Sequence, residues 1–310
     1  MRAVVIRHHG GPDVLEVVDL PELEAGPGQV RIRVAAATVN PTDLATRASS
    51  RPGYDLPSRG YIVPGMEAAG IVDQVGEGVE HLAVGDRVMA IALPTIGGAY
   101  REQLVLDAEQ ATRAPSGIDL IHAATLPMNG LTAALALDML DLPAGASLVI
   151  SGAAGALGGY VLQTAAHRGL RVIAISSEDD RELLASLAPH EFVPRGDDIV
   201  QRVLALVPGG ADGAVDAALL HEQLTPAVRD GGGFAVVRGW DGDPGRGISV
   251  HKVLVADYAH RTDKLAELTE LAAAGILTPR VAQTFPAEQA AEAHRRMEAG
   301  GVRGRLVLTF

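Results

Sequence analysis

The chain has 310 residues, 47% of them apolar and 21% charged, which suits an ordinary soluble globular protein with room for two domains. A net charge of −12 argues against nucleic acid as a partner and offers no basic patch to a membrane. The absence of cysteine excludes disulfides, a thiolate zinc site and a catalytic thiol, and a cytoplasmic location is expected.

The N-terminal run Met1-Arg2-Ala3-Val4-Val5-Ile6 reads as a short strand rather than a leader. The adjacent His8 and His9 would point to opposite faces of a strand and read as surface or turn residues. Up to about residue 115 the pattern is β-rich. Short apolar runs at 30–35, 69–75 and 86–90 are broken by Gly and Pro turns such as Ala25-Gly26-Pro27-Gly28.

From Asp119 the texture changes to alternating strands and helices. The apolar run Leu148-Val149-Ile150 leads into Ser151-Gly152-Ala153-Ala154-Gly155-Ala156-Leu157-Gly158-Gly159, then a helical pattern, then the run Val172-Ile173-Ala174-Ile175. Strand, glycine turn, helix and strand make a dinucleotide-binding βαβ unit. Glycine at 152 or 155 allows a tight turn and close approach to a pyrophosphate. Gly158 lets helix and strand pack closely, and the helix start offers unpaired N–H groups to phosphate. A tight turn with no ligand would give the same triplet. A membrane span is disfavoured because four glycines, two serines and a glutamine stand in the uncharged stretch 147–166.

Further on, helices are expected at 156–168, 179–187, 197–206 and 220–229, with strands at 171–175, 191–193, 213–216 and 233–237. This alternation predicts a doubly wound parallel sheet. The tail reads as a helix over 288–299, a Gly300-Gly301 stop and a last strand from Arg303 to Leu308. That strand suits the first domain better than the second.

Six segments occur in one order: Val39-Asn40-Pro41-Thr42-Asp43, Pro64-Gly65-Met66-Glu67-Ala68-Ala69-Gly70, Val84-Gly85-Asp86-Arg87-Val88, Leu126-Pro127-Met128-Asn129-Gly130-Leu131-Thr132-Ala133, the glycine turn, and the tail from Ala293 to Leu308. Together they resemble the zinc-independent quinone oxidoreductases of the zeta-crystallin type, within the medium-chain dehydrogenase/reductase superfamily. The resemblance implies an α/β protein: a GroES-like β-rich catalytic domain over 1–118 and 276–310, and a Rossmann domain over 119–275. It also implies NADPH as hydride donor and a homodimer. Zinc-containing relatives carry a cysteine where Asn40 stands and a histidine where Met66 stands. Amide and thioether are poor Zn²⁺ ligands, so no metal is expected.

For the cofactor, Gly152, Ala153, Gly155, Ala156, Leu157 and Gly158 form the expected pyrophosphate turn. An NAD-preferring site would place an acid at the end of the second strand. Here Ser176 and Ser177 follow instead, leaving room for a 2′-phosphate, with Arg181 and Arg195 as charge partners. Glu178, Asp179 and Asp180 read as helix N-terminal acids complementing the dipole. If they faced the ribose, NADH would gain. By the resemblance, Asn40 and Thr132 lie near the nicotinamide and ribose, and Asp216, Arg238, Gly239 and Trp240 line the cofactor. Packing at a subunit contact is the other reading of Trp240.

The expected reaction is hydride transfer to a quinone or to the β-carbon of an enone or enal. Charge then builds on the acceptor oxygen, and a donor there would stabilise it. Tyr54 and Tyr61, in a Pro/Gly-rich loop, are the candidates, with Asn40 beside the reacting ring. Either tyrosine could instead anchor the loop, and water could supply the proton. Asp43 reads either as a group that orients the loop or as a helix cap, the structural role being preferred. Two other readings stay open: a C=C reductase of specialised metabolism, and a non-catalytic NADPH-binding protein.

Overall fold

The structure, a computed structural model, describes residues 1–48, 57, 60–92 and 97–310. The chain divides into two compact units. Unit 1 comprises 1–128, 259–273 and 279–310, and unit 2 comprises 129–258 and 274–278.

The chain begins with β1 (Arg2–Ile6), β2 (Leu15–Asp19), β3 (Gln29–Thr38), α1 (Pro41–Ala48), β4 (Glu67–Val75), β5 (Arg87–Ile91), β6 (Gln103–Asp107), β7 (Ala111–Arg113) and α2 (Leu120–Ala123). Then follow α3 (Pro127–Leu140), β8 (Ser147–Ser151), α4 (Ala156–His167), β9 (Arg171–Ser176), α5 (Arg181–Leu187), β10 (Glu191–Pro194), α6 (Ile199–Leu206), β11 (Ala211–Asp216), β12 (Val228–Val236) and β13 (Ser249–Lys252). It returns through α7 (Thr262–Ala273), β14 (Val281–Pro286), α8 (Ala290–Glu298) and β15 (Arg305–Thr309).

In unit 1, a seven-stranded sheet runs β14-β15-β3-β4-β5-β7, with β6 also paired to β3. The C-terminal strand β15 pairs antiparallel with β3, Val307 opposite Thr38, so the end of the chain completes the first sheet. Alternation explains the core in the first part of β3, where Val30, Ile32 and Val34 are buried while Arg33 between them is exposed. These pack with Leu104, Leu106, Phe285, Leu306 and Leu308.

In unit 2, six strands are all parallel in the order β10-β9-β8-β11-β12-β13. β8 and β11 are buried along nearly their whole length, as strands covered on both faces must be. The chain leaves β8 toward β9 on one side and returns on the other at β11. The switch point therefore lies at the carboxyl ends of β8 and β11, where open α/β sheets bind ligands. Among the described residues, no helix is long and apolar enough to cross a membrane.

One expected element is absent. Instead of a helix over 220–229 there are two 3₁₀ turns, 221–223 and 225–227, and β12 already begins at Val228. Pro226 has no N–H to give an α-helix, and His221 has φ +49, which breaks the helix at its start.

Candidate functional site

In unit 2 the glycine turn sits at the switch point. Gly152 follows β8 with φ +64, a backbone region that side chains disfavour. A Cβ there would also stand 3.2 Å from the Ala218 Cβ. The Ala153 N–H donates to Ile175 O, tying the turn to β9. Gly155 is the residue before α4, and no side chain caps that helix. The N–H groups of Ala156 and Leu157 thus have no acceptor inside the helix, and both residues are partly exposed. Gly158 is buried, and a Cβ on it would lie 2.3 Å from Gly152 O. This is an uncapped, dipole-positive cradle of backbone donors that fits a pyrophosphate.

The neighbouring strand ends are tied together by side chains. Asp216 lies opposite Ser151 in the β8–β11 register, and both are fully buried. Ser151 Oγ donates to Asp216 at 2.6 Å, and the N–H groups of Leu220 and His221 donate to the same carboxylate. Ala218 N–H donates to Ser151 Oγ. Asp216 therefore shapes the loop 217–221 and turns its own charge inward. His221 stacks on Trp240 with ring centroids 5.5 Å apart, and Trp240 packs edge-on to Phe234 in the core of the same unit. After β12, Arg238 and Gly239 are exposed, and a Cβ on Gly239 would meet open space. Thr132 is buried on α3.

At the end of β9, Ser176 is buried and its hydroxyl donates to Asp180 at 2.6 Å. Asp180 is itself buried, so its carboxylate serves Ser176 rather than standing in solvent as a simple dipole complement. Arg181 grips Glu178 with two hydrogen bonds, 2.6 and 3.1 Å, and lies over the Phe192 ring. Ser177 is partly exposed. Arg195 is exposed, its N–H donates to Ser176 O, and it makes no ion pair with another described residue.

In unit 1 a buried polar cluster surrounds Asn40. Its Oδ1 accepts from Arg305 at 2.7 Å, and its Nδ2 donates to Thr38 Oγ1 and Glu67 Oε1. Arg305 also pairs with Glu67 and donates to Thr38 Oγ1, while the second Glu67 oxygen accepts from the Met128 N–H at 2.7 Å. Met66 Sδ accepts from the Thr42 hydroxyl. Behind this cluster, Asp43 accepts from the Asn40 N–H at 2.8 Å and the Gly65 N–H at 2.9 Å. Tyr100 and His294 complete the line. Burial pushes the Asp43 carboxyl up to about 6, against the pull of the Asn40 and Gly65 N–H groups, Arg305 and Tyr100. Burial and the neighbouring Arg47 charge bring His294 down to about 3, and burial beside Asp43 raises the Tyr100 hydroxyl well above its ordinary value.

Zinc does not fit these residues. Both polar ends of the Asn40 amide are engaged, and the Met66 thioether accepts a hydroxyl. Among the described residues no group of three or more His, Cys, Asp or Glu is placed to hold a metal. Of the two tyrosines, Tyr54 lies outside the described residues. Tyr61 is half-buried and lines a groove with Met1, Leu20, Leu23 and Arg101, which neither Asn40 nor Glu67 lines.

Glu67, Arg305 and His294 lie inside the ordered motifs with no role legible there, and Thr38 and Tyr100 lie outside them. A signal was present: Glu67 and Arg305 each sit against apolar strand residues, where a charge must be paired to be buried. The pairing itself spans 238 positions and has no local pattern.

Residues 26–116 match the alcohol dehydrogenase GroES-like domain family, and residues 190–308 match the zinc-binding dehydrogenase family, whose name refers to a metal these side chains do not accommodate. The chain is 31% identical to a 2-haloacrylate reductase of Burkholderia sp, over 99% of this chain and 98% of that one. It is 30% identical to a quinone oxidoreductase of Pseudomonas aeruginosa, over 97% of each. The structure of a mycobacterial protein complexed with NADPH superposes with a TM-score of 0.88 at 26% identity, covering 100% of both chains. With the six ordered motifs, the completed first sheet and the glycine turn at the switch point, these matches show that the chain belongs to the medium-chain dehydrogenase/reductase superfamily, in its zeta-crystallin-like quinone oxidoreductase branch.

Proposed function

We propose that this chain is an oxidoreductase that transfers hydride from NADPH to a quinone or another conjugated carbonyl acceptor, without zinc. The observation that carries the reading is the uncapped start of α4 behind the Gly152–Gly158 turn. Its backbone donors suit an anionic group such as a pyrophosphate. The mycobacterial relative complexed with NADPH supports the same cofactor.

Bound NADPH supplies the hydride. The turn residues Gly152, Ala153, Gly155, Ala156, Leu157 and Gly158 hold the pyrophosphate. Ser177 and Arg195 are the uncommitted groups for a 2′-phosphate, with Ser176 and Arg181 already engaged by Asp180 and Glu178. Asp216 holds the loop 217–221 in shape, and Arg238 and Gly239 stay open toward the cofactor. Thr132 and Asn40 are the proposed neighbours of ribose and nicotinamide. Asn40 is held rigid by Arg305 and Glu67, so it acts as a fixed wall for the reacting ring. As the acceptor gains hydride, its oxygen gains negative charge. A proton comes from Tyr54, Tyr61 or water. We place the reaction in the cytoplasm and in a homodimer. The open edge strand β13 and the exposed Leu254 beyond it support association.

The similarity to a 2-haloacrylate reductase favours a second reading, reduction of an activated C=C bond. NADPH consumption measured against simple quinones, enones and 2-haloacrylates separates the two. Turnover of quinones supports the first reading, and turnover of alkenes alone supports the second. NADPH binding without turnover of any acceptor would leave a non-catalytic binding protein and contradict both.

A further inference from the structure

The buried line behind Asn40 runs in one direction. Arg47 can only donate, so its Nη1, 3.5 Å from His294 Nδ1, makes that nitrogen the acceptor. His294 then carries its proton on Nε2 and donates to the Tyr100 oxygen at 3.3 Å. The Tyr100 hydroxyl donates to Asp43 Oδ2 at 3.3 Å. Asp43 is 2% exposed, Arg47 3%, and Tyr100 and His294 0%. The Arg47–Glu298 ion pair ties the far end. Arg305 and Glu67 are the other charged groups that bear on the line.

Helix capping alone does not need this chain. Asp43 is the third residue of α1, and an acid there reaching back to the Asn40 N–H is half of a capping box. The bond to the Gly65 N–H, 22 positions away, lies outside any cap. Gly65 has φ +99, and a Cβ on it would lie 2.5 Å from the Tyr100 ring, so Gly65, Tyr100 and Asp43 are fitted as one piece. Burying an Asp, a His and an Arg costs stability that apolar side chains would not cost. What the cost obtains is a fixed backbone on both segments that carry Asn40 and Met66.

We propose that Asp43 is a positioning residue for hydride transfer: its one carboxylate sets the backbone of Asn40 and of Gly65, and Arg47, His294 and Tyr100 keep it aimed at both. The proposal rests on the reading that Asn40 stands beside the reacting ring. Asp43→Asn keeps the shape but turns an NH₂ toward donors, so one backbone N–H loses its acceptor. Tyr100→Phe removes only the hydroxyl.

The test compares both variants with wild type for kcat, NADPH affinity and melting temperature. The acceptor is whichever quinone or enone the wild type reduces. Asp43→Asn should lose kcat by about tenfold or more and Tyr100→Phe by about threefold, with NADPH Kd within about threefold of wild type. Lower melting temperatures with wild-type kcat would make the line merely structural and overturn the proposal. If Asp43→Asn does not fold, Tyr100→Phe decides by the same criterion. If the wild type reduces no acceptor, the functional reading fails on its own account, and the line is read by NMR of ¹⁵N-labelled protein. His294 should then show the neutral Nε2–H form, and the Gly65 amide should shift in Tyr100→Phe. An Nδ1–H form or an unmoved Gly65 amide overturns the proposal.

Discussion

Arg181 and Arg195 compete for one role, and their surroundings separate them. Arg181 would have to release two hydrogen bonds to Glu178 and its contact over Phe192 before reaching a 2′-phosphate. Arg195 has no such commitment. A charge-assisted contact is worth about 1.5–3 kcal/mol, or roughly one to two decades in affinity. Titrating both cofactors should therefore show Arg195→Ala losing about 10- to 100-fold for NADPH with little change for NADH. Arg181→Ala should lose clearly less. The reverse ranking would return the role to Arg181. Asp43 makes a second prediction at this scale. Its carboxyl is raised from 3.8 to about 6 in the folded chain. The folded state therefore binds this proton more tightly than the unfolded one. The stability it contributes is present below about pH 4 and lost as pH rises to about 6, roughly 3 kcal/mol in all. Asp43→Asn does not titrate, so the margin by which wild type is the more stable should narrow across that window. Urea unfolding at pH 4 and pH 7 measures it, and a constant margin would contradict the assignment.

At the scale of elements, the turn into α4 separates binding from packing. A side chain at Gly158 would drive a Cβ to 2.3 Å from Gly152 O, whereas at Gly155 the nearest atom is 3.1 Å away and φ is an ordinary −65. Gly158→Val should melt well below wild type. Gly155→Val should keep most of its stability but lose NADPH affinity, because its methyl groups stand where phosphate meets backbone. Normal binding by Gly155→Val would mean that the turn serves only the fold. This turn was legible because strand, glycines, helix and strand are contiguous and each has its own period. The segment 220–229 was not: its helical apolar pattern is overruled by Pro226 and by the Asp216 carboxylate, which draws the N–H groups of Leu220 and His221 out of helical geometry. The Asn40 motif was legible, but its hold by Glu67 and Arg305 was not, since β3, β4 and β15 meet only in the folded sheet.

Across the whole molecule, the side chains where a metal would have to bind are already engaged, Asn40 by Arg305 and Glu67 and Met66 by Thr42. The purified chain should accordingly contain far less than stoichiometric zinc, and chelation should leave its melting temperature unchanged. Stoichiometric zinc whose removal lowers that temperature would contradict the reading of Asn40 and Met66. Hydride transfer from NADPH without metal is the central claim, and label transfer tests it most directly. Chelator-treated protein is incubated with NADPH carrying deuterium at both C4 positions of the nicotinamide and with a simple enone, and the product is analysed by mass spectrometry and NMR. The account predicts one deuterium on the former β-carbon at a rate that added zinc does not change. Product without label, or turnover that returns only when zinc is restored, would contradict it.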